Sequence, residues 1–379
     1  MTDEQLKLAV SLFAQLPDER KHRGLNHSLV TIVVMALCAV MSGADTFPEI
    51  QAFAESKRDW LRRFLDFRRV PDHETFRRVF ARLDPVAFQS SALDWIKQAI
   101  GGQLEGDIVA IDGKRLRGTS EHEVQGVHMV NVWSARHRLC LAAQPVAGKQ
   151  NEISTLPSLI DTLALLEVSG CIVTIDAMGT QRAVAEKLVA LHAQYLLALK
   201  GNQGYLFEDV QEMFSDALRR QISETELHGA STWEDRRRSE KRTSWVLPAH
   251  PDLDDYHWPG LRSVVMVEST RTVRGKTATE QRFFLTSLPA CSVTALYAVR
   301  THWEIENSLH WVLDVAFAED DSTTRTDHGP QNLATLRRWA LNLMRREGSV
   351  GAVNKNRKRA GWDDEFRERL LQQLLPLPT

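Results

Sequence analysis

Asp107-Ile-Val-Ala-Ile-Asp112-Gly-Lys114 and Cys171-Ile-Val-Thr-Ile-Asp176-Ala-Met178 are two short apolar runs, each carrying an aspartate at its end. Both read as buried strands. A buried strand delivers such a carboxylate to the edge of a sheet, where it has lost much of its solvation unless a cation compensates. A third acid, Glu306, stands in a helical stretch, His302-Trp-Glu-Ile-Glu306-Asn-Ser-Leu-His310-Trp. Convergence of the three would make a magnesium site. An aspartate after a strand is also a common turn residue or helix cap, so spacing alone leaves both readings open.

Around these runs the period of the chain changes twice. Residues 1–102 carry apolar residues at helical spacing over 4–16, 29–42, 47–67, 74–83 and 86–100, with breaks or caps at Pro17-Asp18, Gly43-Ala-Asp45, Pro71-Asp72 and Asp84-Pro85. Gly101-Gly102 marks the boundary of this helical amino-terminal domain. Strand patterns follow at 108–111, 127–133 and 139–146, then a helix (153–166), a strand (172–175), a helix (181–192) and a strand (195–199). Three meandering strands followed by α/β crossovers describe a mixed sheet in the order of the ribonuclease H-like fold. In that order the first and fourth strands are neighbours, which places Asp112 beside Asp176. Residues 205–290 read as a β-rich insertion, with a helix at 206–218 and strands at 244–247, 263–268 and 282–288. The core resumes over 291–346 with a helix from 294 through Glu306 to about 317 and another at 332–346. Residues 347–379 read as a basic tail, flexible or helical, around Lys355-Asn-Arg-Lys-Arg359.

Composition narrows the class. The 379 residues are 43% hydrophobic and 25% charged, ordinary for a globular protein with two or three domains. A formal net charge of -2 gives no global basic signature, so any nucleic-acid binding must come from local clusters. Cys38, Cys140, Cys171 and Cys291 form no Cys-x-x-Cys pair and read as buried thiols of a reducing cytoplasm. The apolar run from Leu29 to Ala44 is shorter than a membrane span and is expected to be a buried helix.

Asp112, Asp176 and Glu306 supply the ligand set of a two-ion site, which activates a water or a 3′-hydroxyl for in-line attack on a phosphodiester. Glu304 competes with Glu306 as third ligand. Helical phase favours Glu306, because His302, Glu306 and His310 share a face at four-residue spacing. Lys114, Arg115 and Arg117, with Lys200-Gly-Asn202-Gln203, should emerge on the same sheet edge and could hold a DNA backbone; a solvated charged loop is the competing reading. Arg236, Arg237 and Arg238, with Lys241-Arg242 near Trp233 and Trp245, suit phosphate contact and base stacking, although Glu234, Asp235 and Glu240 offset their charge.

Taken together, these motifs resemble the DDE transposases of bacterial insertion sequences, in the H-repeat-associated branch. The segments that carry the resemblance are Leu16-Pro-Asp18-Glu-Arg20 with His27, Pro71-Asp-His-Glu-Thr-Phe-Arg-Arg-Val-Phe80, Ile111-Asp-Gly-Lys-Arg-Leu-Arg-Gly118, Lys149-Gln-Asn-Glu-Ile153, Thr174-Ile-Asp-Ala-Met-Gly-Thr-Gln181, Leu199-Lys-Gly-Asn-Gln203 and residues 302–320. The resemblance implies a catalytic triad of Asp112, Asp176 and Glu306 and a dependence on Mg2+, with Mn2+ as a substitute. It implies nicking at transposon ends and attack of the freed 3′-hydroxyl on target DNA, without a covalent protein intermediate. Double-stranded DNA is the implied partner, bound by a homo-oligomer, with residues 1–102 assigned to DNA-end binding and no membrane involved. The wider clade places a Tyr, an Arg and a Lys around its Glu; here those positions hold Val299, His302 and Leu313. His302 or Arg300 then takes the phosphate-contacting role, while Asn307, His310, Asp314, Asp321 and Arg325 keep the branch's own pattern. A nuclease of the same fold that does not rejoin, or a domesticated inactive DNA-binding protein, would carry much of the same sequence.

Overall fold

Capping residues set where the amino-terminal helices begin. The computed structural model describes residues 1–375 except 19, 21–25, 103, 121–125, 147–151, 220–227 and 236–237, and gives backbone alone for 152–155, 157–158, 219, 228–235 and 238. Among the described residues six α-helices lead the chain: α1 (Asp3–Val10), α2 (Leu29–Met41), α3 (Phe47–Ser56), α4 (Arg58–Leu61), α5 (His73–Arg82) and α6 (Pro85–Ile100). Thr2 and Thr46 form capping boxes with Gln5 and Glu49, Ser28 caps α2, and Asp72 and Asp84 accept backbone N–H groups at the starts of α5 and α6. The helix expected over 47–67 is two pieces, because Lys57 leaves helical geometry between α3 and α4. In α2 every residue except Val30 is buried, as its apolar composition requires.

The strands are β1 (Ile108–Arg115), β2 (His128–Ser134), β3 (Leu139–Val146), β4 (Ile172–Ile175) and β5 (Gln194–Leu199), with α7 (Glu152–Ala164) and α8 (Arg182–Ala190) as crossovers. After α9 (Tyr205–Arg219) come β6 (His228–Asp235), β7 (Arg238–Pro248), β8 (Ser263–Val273) and β9 (Lys276–Thr286). Among the described residues nine strands form one sheet in the order β3-β2-β1-β4-β5-β9-β8-β7-β6. The pairs β1/β4 and β4/β5 are parallel and the rest antiparallel, giving the mixed ribonuclease H-like core. Two features of the insertion emerge here. The β-rich insertion, given no place relative to the sheet by its sequence, joins it: β9 hydrogen-bonds to β5, so its strands extend the core sheet. The charged stretch before residue 238 contains β6, whose mixed sequence HGASTWED shows no clean apolar alternation.

α10 (Ser292–His302) lies across one face of this sheet, where Ala295, Leu296, Ala298 and Val299 pack with Ile108, Leu196, Val265, Val267 and Phe284. α11 (Trp311–Phe317) and α12 (Gly329–Glu347) follow. Most of α12 is buried, and the apolar cluster it joins runs without a break from α1 and α2 to the strands of the core. Residues 347–375 are no loose tail: α13 (Val353–Trp362) and α14 (Asp364–Gln372) pack on the amino-terminal helices. Arg357 is buried there and donates to the carbonyls of Val40, Ala44 and Ala316, tying α2 and α11 together. Burial pushes the Cys38, Cys140 and Cys171 thiols up, to about 12, about 11 and about 12, as expected of inert core cysteines, whereas Cys291 is exposed. Among the described residues no helix is long and apolar enough to cross a membrane.

Candidate active site

β1 and β4 run side by side with Ile111 opposite Ile175, so Asp112 and Asp176 stand at the same level; β1 runs on past the expected end at 111 to Arg115, so Asp112 lies within it, whereas Asp176 follows the last residue of β4. Ile108 and Leu196 face α10, and period two puts Asp112 and Asp176 on that face. Asp112 Oδ1 accepts the Gly113 N–H at 2.9 Å. Asp176 Oδ1 accepts the Met178 N–H at 3.0 Å, closing an Asx-type turn. Three side chains staple that turn to its surroundings. Thr180 donates to the Ala198 carbonyl at 2.6 Å, Asn202 to the Ala177 carbonyl at 3.0 Å and Gln203 to the Thr180 carbonyl at 2.6 Å.

Glu306 arrives on the same face by a route helical phase does not reveal. Between α10 and α11 the chain winds one π turn, Glu306–His310, a local widening often found at functional sites. His310 is buried, and its Nδ1 lies 3.3 Å from Glu306 Oε2 and 3.7 Å from Asp112 Oδ2. One ligand atom each from Asp112, Glu306 and His310 fall within 4.8 Å of one another. Asp176 stands on the adjacent strand outside that trio, and Glu304 is exposed and also outside it. The hydrogen bond from His310 is the main reason that the Glu306 carboxyl is held below the usual carboxylate range, against the opposing effect of burial.

The cations expected along this edge divide into outward and inward groups. Lys114 does not face outward: it is buried, and its ammonium sits 2.6 Å from Asp314 and 3.1 Å from Asp320. Two carboxylates therefore hold it, and it is not free to grip a DNA backbone. Arg117 is exposed and reaches Asp320 at 3.3 Å, and Lys200 is exposed at the end of β5. Asn202 and Gln203 each donate an amide hydrogen to the backbone of the Asp176 turn. His302 bonds to Thr174 Oγ1 through Nδ1 at 2.9 Å, and burial lowers its pKa to about 4, so at neutral pH it is an uncharged residue beneath the site and no phosphate clamp. Arg300 is exposed, while Val299 and Leu313 are core residues. Trp245 packs against the core. Arg236 and Arg237, and the Lys149-Gln-Asn part of its motif, lie outside the described residues, as does the side chain of Arg238.

One buried polar residue escaped the sequence reading. Asn131 lies opposite Asp112 on β2, in the middle of the apolar run Met-Val-Asn-Val-Trp, and is fully buried. Its Nδ2 is 3.3 Å from His310 Nε2, and its Oδ1 accepts from Arg338 Nε at 2.7 Å. Arg338 in turn pairs with buried Glu319 at 2.8 Å. The signal was present: an amide inside a buried strand requires partners.

The donors fit a divalent cation. Asp112 and Glu306 offer hard carboxylate oxygens to a common point, and the half-exposed Glu306 side chain leaves room for water or a phosphate oxygen. Comparison with known proteins agrees in kind. Residues 103–343 match the family described as "Transposase DDE domain", and residues 10–96 match the family "DDE_Tnp_1-associated". The chain is 32% identical over 371 residues to the Escherichia coli O157:H7 protein named "Putative transposase YncI", covering 94% of this chain and 92% of that one. It is 30% identical over 367 residues to the Escherichia coli K12 protein named "H repeat-associated putative transposase YhhI", covering 94% and 96%. Among solved structures, a piggyBac transposase synaptic complex with hairpin DNA aligns at TM-score 0.42 and 12% identity, covering 100% of this chain and 80% of that one.

Proposed function

We propose, since the chain belongs to the DDE transposases of the H-repeat-associated branch, that it catalyses magnesium-dependent cleavage at transposon ends followed by strand transfer into target DNA. The observation that carries this reading is the meeting of Asp112 and Glu306 at His310, one strand away from Asp176. Asp112, Asp176 and Glu306 would hold the divalent ions, Mg2+ or in its place Mn2+. When bound, such ions activate the attacking oxygen and stabilise the leaving oxygen of an in-line displacement. In the first step a water oxygen bonds to phosphorus and the bond to the 3′ oxygen breaks, leaving a 3′-hydroxyl and a 5′-phosphate. In the second, that 3′-hydroxyl attacks a target phosphodiester and its proton ends on the displaced 3′ oxygen. No serine, tyrosine or cysteine nucleophile is needed.

The chain's own residues orient these reactants. The Asx turn and the amides of Asn202 and Gln203 fix Asp176, and His310 fixes Glu306 against Asp112. Exposed Arg117 and Lys200 line the same edge and suit backbone phosphates, which position DNA without reading its sequence. Arg237 and Arg238, basic residues of the insertion's sequence, would add phosphate contacts, and residues 1–102 would bind the transposon ends in a homo-oligomer that pairs two of them.

The test is a strand-transfer assay with purified protein, labelled transposon-end DNA, a target plasmid and Mg2+. Joined products that vanish in Asp112→Ala are expected. Cleavage without joining would assign the chain to the nucleases, and DNA binding with neither product would make it an inactive DNA-binding protein.

A further inference from the structure

Asn131 has no place in the chemistry above, yet it is buried directly behind the residue that joins the two carboxylates. Its orientation is decided by its neighbours. Arg338 can only donate, so the Asn131 atom 2.7 Å from Arg338 Nε must be the amide oxygen. The amide nitrogen therefore points the other way, toward the Met129 carbonyl at 3.2 Å and His310 Nε2 at 3.3 Å. An N–H donor facing Nε2 requires that nitrogen to carry a lone pair. The ring proton then sits on Nδ1, the atom that faces Glu306 and Asp112. His310 thus donates through Nδ1 to Glu306, with Asp112 3.7 Å from the same nitrogen, and that nitrogen has no lone pair to give a metal. Arg338 is itself held by Glu319 and by the Ala334 carbonyl, each at 2.8 Å, so the whole buried chain resists reversal.

We propose that Asn131 sets the metal selectivity of the site by locking His310 as an N–H donor, which keeps imidazole nitrogen out of the coordination shell. Resting on the assignment of Asp112 and Glu306 as metal ligands, it explains why three groups within 4.8 Å that resemble a Zn2+ site would serve a harder ion. Carboxylate and water oxygens suit Mg2+ and Mn2+, whereas an added imidazole favours Zn2+ and Co2+. A carboxylate at position 131 would reverse the lock. It would accept the proton on Nε2, turn the Nδ1 lone pair toward Asp112 and Glu306, and create the carboxylate–histidine–metal relay typical of zinc centres.

Two measurements test this. In metal-free wild-type protein, long-range ¹H–¹⁵N spectra of His310 are expected to show Nδ1 protonated and Nε2 bare; the opposite tautomer overturns the proposal whether or not any variant folds. In Asn131→Asp, with folding checked by circular dichroism, Zn2+ affinity measured by calorimetry is expected to rise about 10–100-fold relative to Mn2+. An unchanged Zn2+ to Mn2+ ratio also overturns it. Asp112→Ala separates the two levels of the argument: if Mn2+ binds wild type and this variant equally, the metal-site assignment itself fails, whatever tautomer is found.

Discussion

The Lys114 ammonium lies 2.6 Å from the Asp314 carboxylate, joining the strand of Asp112 to the helix that follows Glu306. The pair spans 200 residues of sequence, and Asp320 shares the same ammonium at 3.1 Å. Close backbone approach reinforces the joint: a Cβ on Gly118 would come within 2.5 Å of the Ser322 carbonyl oxygen. Removing the cation would leave two carboxylates facing each other. Lys114→Met is expected to lower unfolding free energy by on the order of 3 kcal/mol in urea titration. A variant of native stability with only weakened DNA binding would return Lys114 to the DNA-contacting group.

His302 predicts how stability responds to acid. Its folded pKa, about 4, lies below the ordinary histidine value of 6.5, mainly because of burial. A depressed pKa means that the unfolded chain binds the proton first. Stability is therefore retained above about 6.5, falls as pH drops toward 4, and levels off below that, by up to about 3 kcal/mol. His302→Gln should keep a bond to Thr174 and flatten this loss. Thermal melts of both proteins at pH 7.5 and 5 compare the slopes; parallel acid losses would mean that His302 is not the group responsible.

Arg357 makes the carboxy-terminal helices structural. It is buried, pairs with Asp45 at 2.8 Å and satisfies carbonyls at the ends of α2 and α11. Arg357→Met should destabilise the protein by about 3 kcal/mol and leave the salt dependence of DNA binding unchanged, since no phosphate contact is lost. A shallower salt slope with normal stability would instead place Arg357 on the DNA.

These residues show what was legible beforehand. Asp112 and Asp176 could be read as neighbours because apolar runs announce buried strands and their order matches the ribonuclease H-like fold, in which the first and fourth strands are adjacent. The caps at Asp72 and Asp84 were equally plain, being local chemistry. β6 was not, because HGASTWED lies in a ribbon where little apolar alternation survives. The pairing of β9 with β5 and of Lys114 with Asp314 depends on residues far apart in the chain, which no local pattern encodes. Charge marked Lys114, and the family resemblance marked His302, as candidates for phosphate; burial decided otherwise. Glu306 was preferred over Glu304 by a regular helical phase, yet a π turn supplies its geometry.

The most direct measurement is single-turnover cleavage of transposon-end DNA in saturating Mg2+ by wild type, Glu306→Gln and Glu304→Gln. Loss of a metal-binding carboxylate should slow the first variant by about 10³-fold, equivalent to about 4 kcal/mol of transition-state stabilisation, while Glu304→Gln stays within about threefold of wild type. Equal losses, or an active Glu306→Gln beside an inactive Glu304→Gln, would contradict a site built from Asp112, Asp176 and Glu306.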